Sequence, residues 1–122
     1  MTKEQAKQLI AFEQKFKDTD RLYSMSTELT FAPFIYGDEI NDFIQFCYDN
    51  NLVPANYQLI EEELIGNRTK AEWFTGLSEE EVIQCIAYFI RGDRFCDGLL
   101  ASAIKDGTIS YLLKRIKTLY SL

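Results

Sequence analysis

Apolar side chains recur at intervals of three and four over most of this chain, the spacing that gives an α-helix one buried face. Leu9, Phe12 and Phe16 set the first stripe, and Ile10 widens it. Thr2 stands at an N-cap position with Gln5 three residues later, as in a capping box, and Asp18-Thr19-Asp20 ends the helix. A second helix is predicted from Asp38, with Ile40, Phe43, Ile44, Phe46 and Cys47 as its apolar face and Asn50-Asn51 as its stop. Beyond Pro54 a third is expected from Asn56 to Ile65, burying Tyr57, Ile60, Leu64 and Ile65. Trp73 and Phe74 fit one short helical turn before Gly76.

Ser78 and Glu81 form a second capping box, and Val82, Ile83, Ile86, Phe89 and Ile90 follow it at helical spacing. Arg91-Gly92 is the expected end, with Gly92 in the left-handed C-cap conformation. Asp93 then reads as the cap of a new helix, with Phe95, Leu99 and Ala103 in one row and Leu100 and Ile104 beside it. Gly98 falls inside that helix, where glycine costs about 1 kcal/mol relative to alanine, so a close contact is expected there. Gly107 is a second C-cap glycine, Thr108 an N-cap, and Ile109, Leu112, Leu113, Ile116 and Leu119 the last stripe. Residues 19–37 fit no single period, and Pro33 argues against a central strand. The pattern predicts an all-α fold: one domain over residues 1–122, five or six helices, and an irregular, partly extended segment near residues 19–37.

Composition narrows the chemistry. The chain has no histidine, which removes the usual general base near neutral pH and the commonest zinc ligand. Cys47, Cys85 and Cys96 are odd in number and lack C-x-x-C spacing, so neither a disulfide framework nor a zinc ribbon is indicated. Residues 1–90 carry 7 basic and 16 acidic side chains, residues 91–122 carry 6 and 3. The acidic body argues against nucleic-acid binding, and the basic C-terminal quarter leaves room for a small anion site. A polar N-terminus and the lack of a long apolar run point to a cytoplasmic protein without a membrane segment.

The densest chemistry lies between Arg91 and Gly107. Arg94 falls in the first turn of the helix expected from Asp93, where the helix dipole disfavours a cation, so it calls for a partner. Arg91, Arg94, Phe95, Gly98 and Leu100, followed by Gly107 and Leu112-Leu113-Lys114-Arg115, resemble the C-terminal hallmark R-x-x-R-F-x-x-G-x-[LH] of an uncharacterised prokaryotic family catalogued as a domain of unknown function. Glu39, Phe43, Cys47-Tyr48 and Leu52 are similar to that family's middle helix, with Cys47 departing from its apolar position. The resemblance implies a shared fold and no particular activity.

No catalytic, cofactor-binding or metal-ligating set is nominated. Three consecutive glutamates, at 61–63 and again at 79–81, point in different directions from a helix and cannot share one ion. Cys96 is expected to be a buried structural thiol. Arg91, Asp93, Arg94 and Asp97 are the candidate anion or partner site, since arginine's planar fork suits carboxylate and phosphate; internal bridging by Arg94 competes with that reading. Tyr23, Phe31, Phe34, Tyr36 and Trp73, outside the strongest helices, suggest a groove, a dimer interface or a lid over the core. The expectation is a non-enzymatic protein-interaction or regulatory module, with a homodimer as one form of it. The alternative is a small anion-ligand-binding protein or enzyme centred on Arg91 and Arg94.

Overall fold

Seven α-helices account for most of the computed structural model, which describes residues 1–25 and 34–122. α1 (Lys3–Asp18) starts at the expected capping box, with Gln5 N–H donating to Thr2 Oγ1 at 3.1 Å and Thr2 N–H to Gln5 Oε1 at 2.8 Å. Its buried face is Ala6, Leu9, Phe12 and Phe16. Two three-residue strands follow, β1 (Tyr23–Met25) and β2 (Phe34–Tyr36), antiparallel with Tyr23 opposite Tyr36 and Met25 opposite Phe34. The strands fall within the segment expected to be irregular and partly extended; Phe31 and Pro33 lie outside the described residues.

α2 (Asp38–Asp49) buries Ile40, Phe43 and Cys47 and ends where Asn51 takes the left-handed conformation at φ 57°. Phe12 and Phe16 meet Phe43 edge-on, with ring centroids 5.3 and 5.5 Å away. The predicted third helix splits into a 3-10 helix (Ala55–Ile60), non-helical at Asn56, and α3 (Glu61–Asn67). Ile60 and Leu64 point inward as expected, but Ile65 is 60% exposed. It lies about 100° around α3 from Leu64, beyond the narrow strip that so short a helix buries.

α4 (Ala71–Phe74) is the short turn before Gly76. α5 (Glu79–Gly92) begins at the Ser78–Glu81 capping box and is the most deeply buried helix, with Val82, Cys85, Ile86, Ala87 and Phe89 fully inside. α6 (Leu99–Lys105) and α7 (Thr108–Leu119) complete the bundle. One hydrophobic cluster draws on α1 to α7, so the described residues form a mostly helical single compact domain. The count exceeds the expected five or six because of the short pieces α3, α4 and α6.

Several boundary expectations are corrected. Gly92 ends α5 but does not adopt a positive φ; its value is room, since a Cβ there would stand 2.8 Å from Leu99 Cδ2. No helix starts at Asp93. α6 begins at Leu99, with Gly98 as its left-handed N-cap at φ 85°, so Gly98 is not a helix-interior residue. Gly107 does take the left-handed conformation, at φ 90°, and Thr108 is the first residue of α7 rather than its cap. Leu119 is 39% exposed, while Tyr120 and Leu122, just beyond the end of α7, pack against the core in its place.

Candidate functional site

The corner between α5 and α6 is built from residues 91–98. Arg91 directs Nε and Nη2 at the carbonyl oxygen of Val53, at 3.2 and 2.8 Å, and its guanidinium lies 6.0 Å from the centre of the Tyr57 ring. The end of α5 is thereby tied to the 3-10 helix. The corner then closes on its own backbone: Phe95 N–H and Cys96 N–H both donate to Gly92 O, and Leu99 N–H donates to Cys96 O.

Both aspartates work inward. Asp93 Oδ1 accepts from the Tyr36 hydroxyl at 2.7 Å and from Leu100 N–H at 3.0 Å. It therefore serves an otherwise unpaired amide at the start of α6, from seven residues away in sequence. Asp97 Oδ2 accepts from Phe34 N–H at 3.0 Å. Burial, then the hydrogen bond and charge of Asp93, push the Tyr36 phenol well above its ordinary value, so the hydroxyl remains a donor. Gly98 supplies the third hold on β2, because the Phe34 ring occupies the space a side chain at 98 would need.

What is left faces solvent. Arg94, Phe95 and Cys96 are consecutive and exposed, Phe95 to 87%. Helical spacing places Phe95 in a packed row with Leu99 and Ala103, and Cys96 is expected to be a buried thiol; the non-helical turn instead carries both outward. The same turn removes the supposed conflict at Arg94, which lies five residues before α6 and outside its dipole. Among the described residues, Arg94 makes no ion pair and no side-chain hydrogen bond. It lines a shallow groove of about 450 Å3 with Ile44, Tyr48, Ile90, Arg91 and Asp93. Arg91, Asp93, Arg94 and Asp97 thus share one corner, with the first three on that groove and only Arg94 outward among the cations.

Arg68, Glu79 and Glu81 are engaged in the fold. Arg68 Nη2 pairs with Asp106 Oδ2 at 2.9 Å, its Nε donates to Thr108 Oγ1 at 3.2 Å, and its guanidinium lies 4.9 Å from the centre of the Phe89 ring. Glu79 bonds the Tyr120 hydroxyl, and Glu81 closes its capping box. No cluster of potential metal ligands occurs among the described residues, and no helix there is long and apolar enough to cross a membrane. Burial pushes the Cys85 thiol up to about 12, with Glu81 and Glu63 adding to it, and burial alone raises Cys47. Both are therefore thiols rather than nucleophilic thiolates near neutral pH.

A larger cleft of about 640 Å3 lies between α1, residues 19–23, α6 and α7, with Phe16, Leu22, Tyr23, Ile104 and Ile109 in its wall. Glu13 sits in it, 2.9 Å from Lys17 Nζ and 3.1 Å from Ser110 Oγ. Partial burial raises the Glu13 carboxyl, but hydrogen bonds from Lys17 and Ser110 and the charges of Lys17 and Lys114 outweigh it and hold the pKa below 4.5. A lowered folded-state pKa adds stability above the unfolded value, and that stability is lost as pH falls through the folded value. Glu13→Gln is therefore expected to shallow the loss of thermal midpoint below about pH 4.5. Melts of both proteins between pH 7 and 3 check this, and parallel acid limbs count against it.

The sequence pattern identifies Ile44 as part of the apolar face of α2 and Tyr48 as part of a family-like helix, and neither as a groove residue; their i, i+4 spacing is the one signal that could have paired them. Nothing local marks Leu59 or Ile65 as surface residues.

The model of a family of unknown function, DUF6508, covers residues 1–121. No curated protein and no solved structure gives a match.

Proposed function

This chain belongs to the DUF6508 family of unknown function, a membership that carries no activity with it, and from its own residues we propose that it is a non-enzymatic interaction module whose recognition element is the Arg94–Phe95 corner. The observation that carries the reading is the 87% exposure of Phe95 on a turn whose every anchor is bonded. Leaving a phenylalanine in water forfeits about 1.5–3 kcal/mol of burial. Arg and aromatic side chains together are what protein interfaces concentrate at their energetic centres. Arg94, on a groove walled by Ile44 and Tyr48, and its sequence neighbour Phe95 supply that pair.

What weighs against a two-arginine anion clamp is the engagement of Arg91 with the Val53 carbonyl, which leaves Arg94 alone. What weighs against thiol catalysis at Cys47 and Cys85 is the upward shift of both thiols. The free, exposed thiol of Cys96 fits a reducing, cytoplasmic compartment.

The test is affinity capture from source-cell lysate on immobilised wild type, Phe95→Ser and Arg94→Ala. Both side chains are exposed, so the variants are expected to melt within about 0.5 kcal/mol of wild type. A partner held by wild type and weakened about tenfold or more in Phe95→Ser is the expected result. Identical capture by all three proteins overturns the proposal.

A further inference from the structure

Phe95, Leu59 and Ile65 are the three most exposed large apolar side chains among the described residues, at 87, 75 and 60%. Leu59 and Ile65 border the acidic first turn of α3, one before it and one after it. Ile60 and Leu64 point into the core, so Glu62, about 160° around α3 from Leu64, points away from it; exposed Ile65 lies about 60° from Glu62 on the same helix, and exposed Leu59 stands just before that helix on the 3-10 turn. Glu61, Glu62 and Glu63 are all exposed, and none forms an ion pair among the described residues.

This acidic, apolar face is the chemical complement of the Arg94–Phe95 corner. The two border the same part of α5. The 3-10 helix that leads into α3 is fastened to the end of α5 through Arg91 and Val53.

We propose that the Arg94–Phe95 corner docks on the Leu59–Ile65 face of a second copy of this chain, Phe95 packing against Leu59 and Ile65 while Arg94 pairs with Glu62. The inference rests on the interaction-module reading and names its partner. Because the corner follows directly on the end of α5 to which the 3-10 helix leading into α3 is fastened, a two-fold axis lets each copy offer both, and the contact is made twice in a closed dimer. Opposite charges at its two ends fix the register and disfavour the inverted arrangement.

Sedimentation velocity over a concentration series tests this on the full chain. Wild type is expected to shift from monomer to dimer, and Phe95→Ser, Arg94→Glu and Glu62→Lys are each expected to weaken that association about tenfold or more. The decisive arm mixes Arg94→Glu with Glu62→Lys. In the mixed dimer one contact is native and the other is charge-reversed but complementary, so association returns. A wild type that stays monomeric throughout, or a mixture that stays dissociated, overturns the second-copy partner. If Phe95-dependent capture from lysate survives that outcome, the interaction module stands and its partner is another protein.

Discussion

Gly98→Ala is expected to destabilise the protein by about 2–5 kcal/mol, far more than the usual effect of one methyl group at a surface turn. Two effects combine. At φ 85° any residue with a Cβ bears left-handed backbone strain of about 1–2 kcal/mol. The added Cβ would also stand 2.5 Å from Phe34 Cε2 and Cζ, and such overpacking typically costs about 1–3 kcal/mol. Gly107 separates the two effects. At φ 90° it has the same backbone, but a Cβ there would meet nothing nearer than Tyr111 Cε2, at 3.9 Å. Gly107→Ala should therefore show the strain alone. Chemical denaturation of both variants measures the difference, and Phe34→Leu in the Gly98→Ala background should recover part of it. Equal losses at the two glycines would mean that the Phe34 ring is not what Gly98 accommodates.

Asp93→Ala carries the second large effect. The substitution leaves the Tyr36 hydroxyl and the Leu100 amide without their acceptor, and hydrogen bonds to a charged group are worth about 1.5–3 kcal/mol. Two such bonds are lost, so the expected loss is about 3–6 kcal/mol. A double-mutant cycle with Tyr36→Phe apportions it: the double variant should lose less than the two single losses combined, because they share one bond. A strictly additive cycle would detach Tyr36 from Asp93. Alkaline pH gives a second readout. The raised Tyr36 pKa means that the folded state holds its proton more tightly than the unfolded state does. That stability is complete below the ordinary tyrosine value of about 10 and is lost as pH rises through the folded value. Tyr36→Phe should remove this part of the alkaline decline.

The helical frame is legible because it is local. Thr2–Gln5 and Ser78–Glu81 are capping boxes within four residues of sequence, and both form as the pattern predicts. The inward stripes of α1, α2 and α5 follow from spacing alone, since a helix turns at a constant rate whatever it packs against. The stretch from Arg91 to Gly98 misleads for a related reason. Its apolar residues at 95, 99 and 103 have helical spacing, yet Gly98 and the pull of Asp93 and Asp97 toward β2 keep residues 93–98 in a turn. The bonds responsible reach 57 and 63 residues along the chain, and no local period encodes them.

Local spacing and composition are enough to read a helical chain without histidine, the start of most of its helices, and the cluster of four charged residues between Arg91 and Asp97. Which of those charges face solvent is settled by tertiary packing. Arg91 is taken by the Val53 carbonyl, Asp93 by Tyr36 and Leu100, and Asp97 by Phe34, while Arg94 and Phe95 are left to solvent. Hydrogen-bond partners distant in sequence are brought within about 3 Å by packing, and packing is a property of the whole fold.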